Sequence, residues 1–213
     1  ALGIAQQNKK PVALVCTSGS ALLNYYPAIA EAFYSDIPLV VISADRPQEL
    51  LEIGDGQTII QENVYKNHIL YYAQCNESND FQSKNEVEIN KALNISIEKN
   101  GPTHINAPFS EPLYGTSDTL DSLPKVIEPE INANNNTIDL DDLIHQLNRS
   151  KRKMILVGVM PPNLIDSNFL EELAHDPSVL VLTETTSNLN HASFFPSIDQ
   201  LIAPLNEKGF KEL

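Results

Sequence analysis

Apolar and polar positions along the chain fall into two successive strand–helix series. Residues 11–16 read Pro-Val-Ala-Leu-Val-Cys, a short unbroken apolar run of strand type. The turn Thr17-Ser18-Gly19-Ser20 follows, and Leu22, Ile29 and Phe33 then recur at helical spacing, predicting a helix over 21–34. Pro27 falls inside that helix, where proline costs about 3 kcal/mol, so a kink or an offset start is expected. Residues 37–43 form a second buried strand. Asp45-Arg46-Pro47 then predicts a short helix, with Asp45 as its N-cap and Pro47 in the first turn. A third strand is expected over 68–73, a helix over 85–99 stopped by Asn100-Gly101-Pro102, and a fourth strand over 103–107. Residues 1–10 read as the closing turns of a helix with a basic C-terminal end, so the chain is expected to be part of a longer protein.

Residues 115–137 change character. They carry Pro124, Pro129, several acids and an Asn134-Asn135-Asn136 run, which is linker composition. A second alternation begins after them, with helices over 139–150 and 163–175 and strands over 153–159 and 179–183. Its tail, 198–213, is too short to complete an independent domain. The expected organisation is a domain over 1–114, a linker over 115–137 and the truncated start of a second domain over 138–213. Strands alternating with helices, each strand apolar on both sides, predict an α/β fold with parallel sheets covered on both faces.

Composition narrows the partners. Of the 213 residues, 28 are Asp or Glu and 14 are Lys or Arg, a formal net charge of -14. Nucleic-acid backbones require a basic face, so no nucleic acid is expected as partner. An anionic membrane surface is disfavoured for the same reason, and no apolar run approaches the roughly 20 residues of a spanning helix. Two cysteines, Cys16 and Cys75, make no disulfide framework and share no metal-ligand spacing with the five histidines. A reducing cytoplasm is the expected location.

Two segments stand where ligands sit in open parallel sheets, beyond the carboxyl ends of the strands. The first is Thr17-Ser18-Gly19-Ser20, where a glycine lets a ligand approach the backbone; it equally reads as a simple cap and turn. The second is Ser43-Ala44-Asp45-Arg46-Pro47, followed by Gly54-Asp55-Gly56-Gln57-Thr58-Ile59-Ile60-Gln61. Arg46 offers a planar fork for a carboxylate, and Gln57 both donates and accepts hydrogen bonds. The plainer alternative makes Arg46 a solvated first-turn residue and Gln57 and Gln61 one polar helix face.

Taken together these segments resemble a family. Thr17-Ser18-Gly19-Ser20-Ala21, Asn24, Tyr26-Pro27-Ala28, Ala44-Asp45-Arg46-Pro47, Glu49-Leu50 and Gln57-Thr58-Ile59 with Gln61 are similar to the pyrimidine-binding domain of thiamine-diphosphate enzymes. The Ala-Asp-Arg-Pro and Gln-Thr-Ile-x-Gln pair resembles the 2-succinyl-5-enolpyruvyl-6-hydroxy-3-cyclohexene-1-carboxylate synthases of menaquinone biosynthesis. Residues 101–109 with Glu111-Pro112-Leu113 are similar to that family's close of the same domain, and 153–158 look like the first strand of its Rossmann-like, transhydrogenase-like middle domain.

The resemblance implies thiamine diphosphate held between two subunits of a homodimer or homotetramer. It implies decarboxylation of 2-oxoglutarate and addition of the resulting carbanion to isochorismate. It places Arg46 and Gln57 on substrate and Ser18, Gly19 and Ser20 beside the aminopyrimidine ring. Gly56 stands where many relatives carry Asn. The acid that activates the cofactor lies upstream of Ala1, and the diphosphate and Mg²⁺ belong to a further domain, so no catalytic or metal residue is assigned here and the chain alone is expected to be inactive. An acetolactate-synthase-like decarboxylase shares the sheet and glycine loop but is expected to lack Arg46-Pro47. A non-catalytic flavodoxin-like module is the alternative of another class.

Other signals read as structural. Gly54-Asp55-Gly56, with Asn79 or Asn85 downstream, looks like the start of a diphosphate and Mg²⁺ motif, but no apolar strand precedes it and Glu49–Ile53 reads as a short helix. Cys16 lacks a basic neighbour and is expected to be an inert thiol. His104, His145 and His175 pair with nothing at metal spacing. The glycosylation triplets at Asn76, Asn94, Asn135 and Asn148 require secretion, for which nothing in the sequence argues.

Overall fold

A computed structural model describes residues 1–119, 122–129 and 139–212. The chain forms two compact units, Ala1–Asn134 and Asn135–Leu213. The first contains helix α1 (Leu2–Asn8), strand β1 (Val12–Cys16), helix α2 (Tyr26–Tyr34), β2 (Leu39–Asp45), β3 (Tyr71–Gln74), helix α3 (Gln82–Lys99) and β4 (Thr103–Pro108). Its four strands run parallel in the order β1-β2-β4-β3.

Central strand β2 shows why an unbroken apolar run was required. Successive side chains point to opposite faces. Val40 packs with Ala73, Ile105 and Ala92 of α3, whereas Leu39 packs with Ala5 of α1 and Ala32 of α2. Val41 joins Leu22, Ile29 and Tyr65 on the side of α2. β1 lies at the edge of the sheet and alternates instead, leaving Val15 largely exposed.

Pro27 resolves as an offset start. Residues Gly19–Tyr25 form a 3₁₀ stretch, and α2 begins at Tyr26 with Pro27 in its first turn, where a missing N–H costs nothing. Asn100 closes α3 in the left-handed conformation at φ 48°. Gly101 is small for a different reason, since a Cβ there would lie 2.4 Å from Leu70 Cδ1.

Three expectations need correction. Asp45 caps no helix: β2 extends through it, and a single 3₁₀ turn, Gln48–Leu50, replaces the helix expected around 45–53. β3 begins at Tyr71 because 68–70 complete the turn leading into it. The described part of the expected linker is not loose chain. Ile127 N donates to Asn90 Oδ1 at 2.8 Å, Asn90 Nδ2 donates to the Lys125 carbonyl at 2.9 Å, and Asn94 Nδ2 to the Ile127 carbonyl at 2.9 Å, strapping 125–127 along α3. Residues 120, 121 and 130–137 of that stretch, with the asparagine run, lie outside the described residues.

The second unit contains α4 (Asp141–Arg149), β5 (Lys153–Val157), α5 (Ser167–His175), β6 (Val179–Thr183), β7 (Phe195–Pro196), α6 (Ile198–Ile202) and α7 (Glu207–Glu212). Its three strands are again parallel, in the order β5-β6-β7. Helix α5 starts at Ser167 rather than 163 because Asp166 is its N-cap, accepting from Asn168 N. No described helix is long and apolar enough to cross a membrane.

Candidate functional site

The site is built at the carboxyl ends of β2 and β4, where the register pairs Ser43 with Asn106. These side chains emerge on the α2 face and meet a buried amide. Gln61, 2% exposed, donates from Nε2 to Asn106 Oδ1 at 2.8 Å and to the Ala44 carbonyl at 3.0 Å. Its Oε1 accepts the Gly19 N–H at 2.8 Å. One side chain thus ties the turn after β1 to the ends of β2 and β4. Residues 57–61 are irregular, so the polar helix face expected for Gln57 and Gln61 does not exist.

The same network orients a histidine. Ser43 Oγ donates to Asn106 Oδ1 at 2.8 Å, so His104 Nε2, 2.7 Å from Ser43 Oγ, is assigned as a donor. Asn106 Nδ2 donates to Asp45 Oδ2 at 2.6 Å and to Gln74 Oε1 at 3.1 Å. His104 Nδ1 is buried without a partner among the described residues. Burial disfavours the imidazolium and pushes its pKa down to about 4, from 6.5. The unfolded chain therefore binds the proton first as pH falls. The stability is fully present above about 6.5 and is lost progressively as pH drops toward 4. Between pH 7 and 5 this site is expected to cost the first unit about 2 kcal/mol, and His104→Gln should flatten that slope in urea titrations at the two pH values.

Arg46 follows directly on β2, its backbone N–H donating to Asp45 Oδ1 at 2.8 Å. Its guanidinium turns toward the 54–57 loop and is 23% exposed. Nε donates to the Gly56 carbonyl at 3.4 Å and lies 3.6 Å from Asp55 Oδ2, while Nη1 donates to Glu111 Oε1 at 2.8 Å. The next residue, Gln57, adopts φ 59° and presses its backbone on the glycine turn: a Cβ on Gly19 would stand 2.8 Å from Gln57 C. Arg46, Gly56, Gln57 and Gly19 are therefore consecutive contacts, and the Gln57 side chain is exposed beside them. Within the turn, Ser18 and Gly19 are buried and Ser20 is exposed. A cavity of about 930 Å³ opens beside Arg46, between 45–52, 58–62 and 74–78.

The structure brings Arg46, Gln57, Ser18, Gly19 and Ser20 to one sheet end. Sequence reasoning gave no role to Gln61, Asn106 or Glu111. All three lie inside the family-like motifs, but only the tertiary contacts reveal what each side chain meets. Asp55 is engaged with Arg46, and Asn85 exchanges hydrogen bonds with the Asn76 backbone. Among the described residues no group of three or more His, Cys, Asp or Glu is placed to hold a metal ion. Burial raises the Cys16 thiol above its ordinary pKa, which disfavours the nucleophilic thiolate.

Comparison with known proteins fixes the relationship. Residues 1–69 match the family described as thiamine pyrophosphate enzyme, N-terminal TPP binding domain. A 2-succinyl-5-enolpyruvyl-6-hydroxy-3-cyclohexene-1-carboxylate synthase from Christiangramia forsetii is 55% identical over 100% of this chain and 40% of its own length. The synthase of that name from Flavobacterium johnsoniae is 57% identical over 100% of this chain and 38% of its own. That from Porphyromonas gingivalis is 35% identical over 97% and 37%. The chain belongs to this synthase family. It spans about two fifths of the length of these curated relatives.

The stretch matched to the TPP binding domain, residues 1–69, includes the glycine turn, Arg46 and Gln57. In the glycine turn Ser20 is exposed, and Gly19 lies against the backbone of the exposed Gln57. The Gly19 N–H is already given to Gln61, so Gly19 shapes the turn rather than serving as a donor to a ligand.

Proposed function

We propose that this chain is the pyrimidine-binding domain and the start of the middle domain of a thiamine-diphosphate synthase that decarboxylates 2-oxoglutarate and adds the product to isochorismate. In this reading residues 1–114 are the pyrimidine-binding domain and 138–213 open the middle domain. The observation that carries it is the placement of Arg46, in an acidic chain, against the Gly56–Gln57 backbone that touches the glycine turn. A cation held there receives the carboxylates that both substrates carry. Gln57 offers a donor and an acceptor at the same mouth, and Ser18, Gly19 and Ser20 line the coenzyme ring.

When bound, thiamine diphosphate supplies the electron sink for decarboxylation. The residues of this chain bind and orient. The network around Gln61 holds the turn, Arg46 anchors a carboxylate, and Gln57 fixes the substrate's approach. A homodimer or homotetramer, Mg²⁺ carried outside these residues and a cytoplasmic location complete the proposal, and the family resemblance supports them.

The test is kinetic, in the intact synthase. Arg46→Ala is expected to lower kcat/KM for isochorismate about 30- to 100-fold, the value of one charge-assisted hydrogen bond. The melting temperature should move little, because the ion pairs of Arg46 are partly exposed. Unchanged efficiency removes Arg46 from the site.

A further inference from the structure

We infer that Glu111 is the resident counter-ion of Arg46 and gives up the guanidinium to the carboxylate of the incoming substrate. The inference rests on the reading of Arg46 as a substrate anchor. The free site is not a bare cation: Arg46 Nη1 donates to Glu111 Oε1 at 2.8 Å, and Nε lies 3.6 Å from Asp55 Oδ2. The Nη1 donor that points at Glu111 is open to an incoming carboxylate only when Glu111 leaves it.

Exposure decides which one leaves. The Glu111 side chain is 64% exposed, against 38% for Asp55 and 23% for Arg46. Glu111 stands on the irregular segment after β4 and regains water when it turns away. Asp55 is held in its loop, its carbonyl accepting from Thr58 Oγ1 at 2.7 Å. The Gly56 carbonyl stays fixed by the contact of Gln57 with the glycine turn. Release of Glu111 therefore uncovers one arm of the fork while the other remains oriented.

The exchange has a consequence for specificity. Arg46 keeps the same number of carboxylates before and after binding, so the step neither gains nor loses an ion pair. Small mobile anions must displace a tethered carboxylate and are held off, while a substrate with further contacts succeeds. Glu111 is thus a specificity-determining residue rather than a catalytic one.

The experiment compares wild type, Glu111→Gln, Arg46→Ala and the double variant of the intact synthase, with isochorismate varied at low and high NaCl. Glu111→Gln is expected to lower KM about two- to five-fold with kcat unchanged, the size of a partly exposed ion pair. It should also make KM rise more steeply with salt, since binding now gains a screened ion pair. In the Arg46→Ala background the same substitution should leave KM and its salt dependence unaltered. A KM equal to or above wild type in Glu111→Gln overturns the inference, as does an equal change with and without Arg46. If Arg46→Ala itself leaves kcat/KM intact, the functional reading fails, and that result is distinct from a failure of Glu111.

Discussion

Gln61→Met is expected to destabilise the first unit by about 4 kcal/mol. Methionine has nearly the same length and leaves no large void, so the loss measures hydrogen bonding rather than packing. The substitution orphans the Gly19 N–H, and it removes the amide donor from the Ala44 carbonyl and one of the two donors from Asn106 Oδ1. Each buried polar group left without its partner costs about 1–3 kcal/mol. Tyrosine emission gives a clean readout. The chain has no tryptophan, and all seven tyrosines lie before residue 115, within the first unit. Urea unfolding followed by tyrosine fluorescence therefore reports that unit alone. Hydrogen exchange at Gly19 should accelerate in the same variant. A loss below about 1 kcal/mol would show that the network is peripheral to stability.

Gly19→Ala is expected to cost about 3 kcal/mol by the same measurement, and a paired control divides that figure. Gly19 sits at φ 81°, and an added Cβ would lie 2.8–2.9 Å from the Gln57 backbone. A left-handed conformation costs an L-residue about 1–2 kcal/mol, and overpacking against backbone adds about 1–3 kcal/mol. Gly54 has nearly the same dihedral, φ 82°, but nothing within 4 Å of its Cβ position. Gly54→Ala should therefore show only the conformational part, about 1 kcal/mol. The difference between the two variants measures how tightly the glycine turn and Gln57 are pressed together. Equal losses would mean that the 54–57 loop shifts freely and does not hold the turn.

The elements nearest the site show what was legible and why. Leu39–Asp45 was readable because a strand buried on both faces is apolar on successive residues, whereas Val12–Cys16 was readable from its apolar run although one face of this edge strand is exposed. The offset at Pro27 was readable because proline has a single favourable place in a helix. The reading failed at residues 45–61, where no hydrophobic period operates. There the backbone is set by distant partners: Asp45 turns to Asn106, and Gln61 reaches Gly19. Polar residues spaced four apart look like a helix face when only local order is considered.

The strap along α3 makes the same point from the other direction. Residues 124–129 carry two of the prolines that suggest a linker, yet Asn90 and Asn94 hold the Lys125 and Ile127 backbone. Asparagine on a helix carries no local signal that it will bind another segment's backbone.

By itself the sequence determined the α/β class, the parallel strand–helix order and the family, because burial periodicity and ordered motifs are written locally. Only the tertiary structure decided that Gln61 is the knot of the site, that Gly19 is pressed on Gln57, and that Arg46 already holds Glu111. Those contacts join residues 42, 38 and 65 positions apart, and no local rule relates side chains across such separations.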